Sequence, residues 1–291
     1  VARLYGYDRV PVTLPDVAVT EMAVIPRLDL EERIRTVLTG NGYNEVINYS
    51  FISPQSVDYL GLTENDERRR LVNIKNPLVE DQSIMRTTMI FALLDSLKKN
   101  ANNGCFNLKL FEMGRIFLSC GAGKLPEERN VLAGLLSGTI GEDLWNYRLN
   151  VDFYDVKGCL DNLFSDLKTG DCRYVAENPE PFLHPGKSAN IYLKDSKVGY
   201  LGEVHPDVKD RMDLKVNSYV FEINLDMLVN HIAGEVTYKE ISKYPAVARD
   251  VAFVVDSSVQ ADYMLDIVLR QKEDLLENVG IFDIYAGKGL P

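Results

Sequence analysis

The chain has 291 residues, 46% of them hydrophobic and 26% charged, with a formal net charge of −11. That balance excludes a disordered chain, and no apolar run reaches the roughly 18 residues that a membrane-spanning helix takes. With basic clusters as small as Arg68-Arg69-Arg70 and Lys98-Lys99, such an acidic chain is expected to bind nucleic acid only weakly on its own.

Residues 1–27 carry Pro11, Pro15 and Pro26 around a Thr/Val-rich stretch. They read as the tail of a preceding module and an extended linker, because each proline disfavours helix in the residue before it. The opening run Val1-Ala-Arg-Leu-Tyr-Gly-Tyr-Asp-Arg-Val-Pro11 has no initiator methionine, so a piece of a longer protein is expected. Leu28 to Asn41 has helical spacing, with Leu30, Ile34, Val37 and Leu38 on one face and Asn41-Gly42 as a stop. Glu45 to Phe51 alternates as a strand, with Ile47, Tyr49 and Phe51 on one side. Ser53-Pro54 opens a short helix, and Leu71 to Lys75 reads as a short strand. Thr88 to Asn102 is a second helix, carrying Ile90, Leu93, Leu94 and Leu97.

Strands are expected over Phe106 to Glu112, Arg115 to Leu118 and Val131 to Ser137. Val156, Leu160, Leu163, Phe164 and Leu167 then define the best helix of the chain, ended by Gly170. Cys172 to Ala176, Ala189 to Leu193, Val198 to Val204 and Tyr219 to Leu225 follow as strands, with a tight hairpin at Lys194-Asp-Ser-Lys197. An antiparallel sheet with helices on one face makes residues 28–235 an α+β domain. From residue 236 the pattern restarts: strand Val251 to Val255, helix Ala261 to Leu275 and strand Val279 to Tyr285 ending at Gly287-Lys-Gly289, an incomplete β-α-β domain.

Chemistry-bearing residues are sparse. The four cysteines, Cys105, Cys120, Cys159 and Cys172, include no C-x-x-C pair, and buried cytosolic thiols are the expected reading. His184 and His205 each precede a proline at a strand end, and His231 falls in a short helix; without further ligands at suitable spacing they are read as structural, and no metal site is expected. Glu112 and Arg115 straddle a strand turn, either as a polar pair lining a pocket or as a strand-end surface pair. Arg86 stands before a helix, where it would clamp a phosphate or an acidic partner, or form a structural ion pair. Arg249, near Tyr244, would grip a nucleic-acid backbone or pair with Asp250 at a domain seam. No nucleotide loop or nucleophile motif is present in the sequence.

Four strings occur in order: the opening run, His184-Pro-Gly-Lys-Ser-Ala189, Gly199-Tyr-Leu-Gly-Glu-Val-His-Pro206 and Tyr244-Pro-Ala-Val-Ala-Arg-Asp-Val251. Together they resemble the β subunits of bacterial phenylalanyl-tRNA synthetases across nearly the whole chain. The resemblance implies the end of a helical module, a class II synthetase-like core over about 28–235, and the start of a ferredoxin-like anticodon-binding domain. It implies a cytoplasmic α2β2 enzyme that joins phenylalanine to its tRNA with ATP and Mg2+, with activation on the α subunit.

Class II sites hold developing phosphate charge with arginines. The comparable strand here reads Lys109-Leu-Phe-Glu112, with Leu110 where an arginine is expected, and no Gly-rich string ending in arginine lies near Glu203 or Glu222. This stretch is therefore expected to be non-catalytic, to bind no cofactor itself and to act as a scaffold for the α subunit and a second β subunit. Glu112, Arg115, His184, Lys187, Glu203 and His205 are its pocket-lining candidates. Leu30, Ile34, Arg86, Leu93 and Leu97 are the candidates for a subunit interface, and Tyr244 and Arg249 for tRNA contact. The competing expectations are a stand-alone ATP-dependent ligase, for which Lys187 and Arg115 would have to serve the adenylate, and a plain protein-interaction module.

Overall fold

The computed structural model describes residues 1–13, 26–140, 149–232, 238, 240, 243–271, 273–285 and 287, with backbone only at 26 and 27. Most of the expected linker, the expected boundary at 235–236 and Gly289 lie outside these residues. Two compact units divide the chain, Val1–Val236 and Thr237–Pro291.

In the first unit, α1 (Ala2–Tyr5) and α2 (Pro26–Gly40) precede β1 (Asn44–Glu45), β2 (Phe51–Ile52), α3 (Ser56–Tyr59), β3 (Ile84–Met85) and α4 (Ile90–Asn102). There follow β4 (Leu108–Leu118), β5 (Glu127–Ser137), β6 (Thr139–Ile140), β7 (Leu149–Asn150), α5 (Phe153–Leu167), β8 (Cys172–Val175) and β9 (Leu183–Leu193). The unit closes with β10 (Ser196–Val204), α6 (Pro206–Arg211), β11 (Ser218–Asn224) and α7 (Leu225–Leu228). A seven-stranded sheet runs in the order β1-β4-β5-β11-β10-β9-β8. β1 is parallel to β4 and the other neighbours pair antiparallel, so the sheet is mixed rather than purely antiparallel.

The period of two along each strand sorts the core into two layers. Phe111, Leu132, Leu136, Phe221 and Ile223 face one way, against α2 and α5. Leu110, Val131, Ala133, Leu135 and Val220 face the other way, against α4 and the apolar residues of α3 and α6. Helices therefore cover both faces, where the sequence suggested one. The near-continuous apolar run Val131 to Leu136 is the signature of a strand buried on both sides. Gly134, between Phe111 and Phe221 in the register, leaves room for the Phe221 ring, into which a Cβ would run.

Helix α5 is bounded by its own sequence. Asp152 accepts from the Tyr154 and Asp155 amides while the Asp155 carboxylate accepts from the Asp152 amide, and Lys168 ends the helix in the left-handed region at φ 58°. Its Val156, Leu160, Leu163, Phe164 and Leu167 are all buried, as their spacing predicts. Helix α4 buries Ile90, Leu93, Leu94, Leu97 and Ala101 in the same manner.

Several expectations need correcting. Leu30, Ile34, Leu93 and Leu97, expected at a subunit interface, lie inside this chain's own core and have almost no surface left for a second chain. β4 runs unbroken through Gly114, because Met113 and Gly114 keep their places opposite Leu132 and Val131 of β5. Leu71 to Lys75 makes only the isolated bridge of Asn73 to Ile84. The short helix starts at Ser56; Ser53 instead accepts the Gln55 amide through its hydroxyl. Of the four free cysteines Cys159 is buried, but Cys105 and Cys120 are exposed in the loops after α4 and β4.

In the second unit α8 (Ala261–Leu269) forms where a helix was expected, though shorter. Val251 to Val255 and Val279 to Tyr285 form no strand among the described residues, despite strand-like composition. A strand needs a neighbour to take its N–H and C=O groups, and the side chains of Val251, Phe253, Val254 and Phe282 stay exposed.

Truncating Leu97, fully buried between α4 and the sheet, leaves a cavity. Leu97→Ala is expected to lower unfolding free energy by about 2–5 kcal/mol, read from urea denaturation; Lys99→Ala, on the exposed side of the same helix, should change it by no more than about 0.5 kcal/mol.

Candidate functional site

Polar groups on the α4 side of the sheet gather in two places. The first is a closed cluster around Arg86. Its Nη1 donates to Glu112 Oε1 at 2.7 Å and its Nε to the Arg115 carbonyl at 2.8 Å, with side-chain exposures of 4% for Arg86 and 3% for Glu112. Asn48 donates to the other Glu112 oxygen at 2.8 Å and accepts from Ser96 Oγ of α4 at 2.8 Å. The Arg86 amide donates to Ser50 O, and its carbonyl accepts from the Phe117 amide. Gly114 is glycine because a Cβ would collide with the Arg86 guanidinium. Arg86 is thus an internal ion pair rather than an interface or phosphate ligand, and Glu112 pairs with it rather than with Arg115. Arg115 is exposed and bound to Glu128 at 2.8 Å.

The second is a cleft of about 420 Å³ over β10 and β11, lined by Asp66, Glu67, Arg68, Arg129, Glu180, Lys197, Tyr200 and Glu222 among polar residues. Ile116, Leu118, Val131 and Met227 supply apolar wall. Arg68 lies over the Phe182 ring at 5.1 Å and bridges Asp66 and Glu180, each at 2.7 Å. Burial works against its charge, but Asp66 and Glu180 more than offset it and raise the Arg68 pKa. Lys197 reaches Glu180 at 3.2 Å; Arg129 reaches Glu67 at 2.7 Å and Glu127 at 2.6 Å. Hydrogen bonding to Arg129 holds the Glu67 carboxyl below its ordinary value.

Glu222 stands apart. It accepts from Thr88 Oγ1 and the Met89 amide, both at 2.8 Å, and from Tyr200 OH at 2.9 Å, yet among the described residues no cation pairs with it. Burial pushes its pKa up against the pull of those three donors, and burial followed by the Glu222 charge raises Tyr200.

The six pocket candidates do not line this cleft. Glu112 is sealed beside Arg86, and Arg115 is at the surface. Lys187 pairs with Glu203 at 2.6 Å, and Tyr219 OH donates to the same Glu203 oxygen at 3.3 Å. His184 Nδ1 accepts from the Gly186 amide; His205 Nδ1 accepts from the Asp207 amide and caps α6, with Pro206 in its first turn. Both histidines are the local turn elements expected. Arg249 is exposed in the second unit and donates to the Ala248 carbonyl, and Tyr244 is exposed there too.

The sequence reading missed Arg68, which looked like part of a solvated basic turn, and Glu180. A signal for Glu222 was present: a lone acid inside the apolar strand Tyr219 to Leu225 has to be accounted for by buried partners. The cleft is poorly suited to a triphosphate or a divalent cation. Its three cations are already paired, and Asp66, Glu67 and Glu180 are each committed to an arginine or lysine.

The core is thus a large mixed sheet with helices on both faces and a cleft over its central strands. Pyrrolysyl-tRNA synthetase from Desulfitobacterium hafniense superposes with a TM-score of 0.53 at 12% identity, over 71% of this chain and 70% of that one, a likeness of fold alone. A family model described as phenylalanyl tRNA synthetase beta chain CLM domain matches residues 10–225, and one described as ferredoxin-fold anticodon binding domain matches residues 242–291. Over the whole chain it is 49% identical to the phenylalanine–tRNA ligase beta subunit of Syntrophus aciditrophicus and 39% identical to that of Carboxydothermus hydrogenoformans. The chain belongs to the family of phenylalanine–tRNA ligase β subunits, and it spans 36% of the length of each of these relatives.

The raised Glu222 pKa has a stability consequence. A carboxyl whose folded pKa exceeds its unfolded value of about 4.5 binds protons preferentially in the folded state between the two, so folding strengthens as pH falls through that window. The native chain should therefore gain stability relative to Glu222→Gln as pH falls toward about 4.5 in urea denaturation series; parallel pH profiles would contradict it. Separately, Arg86→Met leaves Glu112 buried without its cation and is expected to cost about 3–5 kcal/mol in the same measurement.

Proposed function

We propose that this chain is the scaffolding portion of a phenylalanine–tRNA ligase β subunit, docking the α subunit and a second β subunit and helping to position tRNA(Phe). On this reading residues 28–235 are a catalytic-like core that does not catalyse, and residues 236–291 begin an anticodon-binding domain. The whole enzyme would use ATP and Mg2+ in the cytoplasm, with adenylate formation on the α subunit. The Mg2+ would be held outside this chain, because Asp66, Glu67 and Glu180 of the cleft are committed to cations and Glu222 stands alone. What supports a silent site is the pairing of Arg68, Arg129 and Lys197 with carboxylates, which leaves no free cation to meet phosphate charge. The same pairing disfavours a stand-alone ATP-dependent ligase; Lys187 and Arg115 are bound to Glu203 and Glu128.

One observation carries the docking role. From residue 46 to 52 the extended chain turns Val46, Asn48, Ser50 and Ile52 inward and Ile47, Tyr49 and Phe51 outward. Ile47 is 94% exposed and Tyr49 74%, while polar Asn48 is tied to Glu112 beneath. An exposed apolar stripe of this kind marks a protein contact.

Ile47→Asp and Tyr49→Lys should leave unfolding free energy within about 0.5 kcal/mol of the native value and weaken assembly with the α subunit at least about tenfold by light scattering. A normal complex from both folded variants would remove this surface from the docking role. For tRNA contact, Arg249→Ala in the intact subunit should raise the KM for tRNA several-fold with little change in kcat. Unchanged kinetics would exclude Arg249 from that contact.

A further inference from the structure

The cleft that has no use for a triphosphate has a charge balance of its own. Four carboxylates line it, Asp66, Glu67, Glu180 and Glu222, against three cations, Arg68, Arg129 and Lys197. The first three carboxylates are matched to those cations by ion pairs of 2.7–3.2 Å. Glu222 is the remainder, 7% exposed and set among protein donors that are all neutral. Thr88 and Met89 both donate to Oε2, whereas Oε1 receives Tyr200 alone, so Oε1 keeps acceptor capacity. Burying a carboxylate without a cation is costly, and the wall beside it is aliphatic.

We propose that this cleft binds a small aliphatic amine, its ammonium set against Glu222 Oε1 and its hydrocarbon body along Ile116, Val131 and Met227. Binding pockets are commonly this combination of apolar wall and a few placed polar groups. Arg68 does not repel such a ligand strongly, because its charge is neutralised by the carboxylates it bridges. A carboxylate or phosphate ligand meets the opposite balance. The site is independent of whether the chain scaffolds a ligase, since it needs only the cleft and its charges.

Titration calorimetry of the intact protein with n-hexylamine, 1-hexanol and hexanoate separates the contributions of head and tail. At pH 7.5 n-hexylamine should bind at least about tenfold tighter than 1-hexanol, and hexanoate should give no saturable binding. Glu222→Gln should bring the amine down to the level of the alcohol. Met227→Trp, at a half-exposed position on the wall, should fill the cleft and weaken both. Equal binding of amine and alcohol to the native protein, or no amine binding, overturns the proposal. So does an amine advantage that survives in Glu222→Gln; if that variant does not fold, undiminished amine binding by Met227→Trp overturns it equally.

Discussion

The buried pair of Arg86 and Glu112 is the interaction on which the arrangement of this core turns. A buried ion pair is weak evidence for stability in itself, since well-packed apolar residues of similar volume often do as well. What it supplies here is position. Through five hydrogen bonds the pair and its neighbours join the extended segment at Asn48 and Ser50, strand β4 at Arg115 and Phe117, and helix α4 at Ser96. An apolar substitute would fill the space but could not say which of three sliding elements belongs opposite which. The absence of a side chain at Gly114 is part of the same device, because the guanidinium takes the space a Cβ would need.

The cleft over β10 and β11 follows the same rule with a different outcome. In an acidic chain each cation has several carboxylates within reach, and Arg68, Arg129 and Lys197 each satisfy at least one. Their donors are used internally, and the phosphate-gripping capacity that the fold could offer is consumed. Glu222, left with hydroxyl and amide donors only, is the one acid lining the cleft that makes no ion pair among the described residues.

Much of the architecture is legible in the sequence because period and punctuation agree. The α5 spacing, its Asp152 cap and the two-residue turn at Lys194-Asp195 all stand where pattern places them. The failures share a cause. Gly114 looked like a strand break because a sequence does not reveal that an arginine 28 positions away fills the missing side chain's place. Arg68 looked solvated because its second carboxylate, Glu180, is 112 residues distant. Glu112 and Arg115 looked like a pair because they are near in sequence, whereas each found a partner on another segment. Long-range charge pairing leaves no local periodicity to read. The second unit fails differently: Val251 to Val255 has the composition of a strand, but a strand is defined by the backbone beside it.

The same distinction governs how this core can meet another protein. An apolar face stabilises an assembly only if it is withdrawn from water on association, so a face already spent on folding is not available a second time. The faces of α2 and α4 that carry Leu30, Ile34, Leu93 and Leu97 are spent in that sense. The segment between β1 and β2 is not: Asn48 and Ser50 anchor it to Glu112 and Arg86, and Ile47, Tyr49 and Phe51 face outward. Anchoring the segment by Asn48 and Ser50 leaves Ile47, Tyr49 and Phe51 pre-ordered at the surface, so a partner would meet little further entropy cost in using them. The buried ion pair and the exposed stripe are in this respect two sides of one segment.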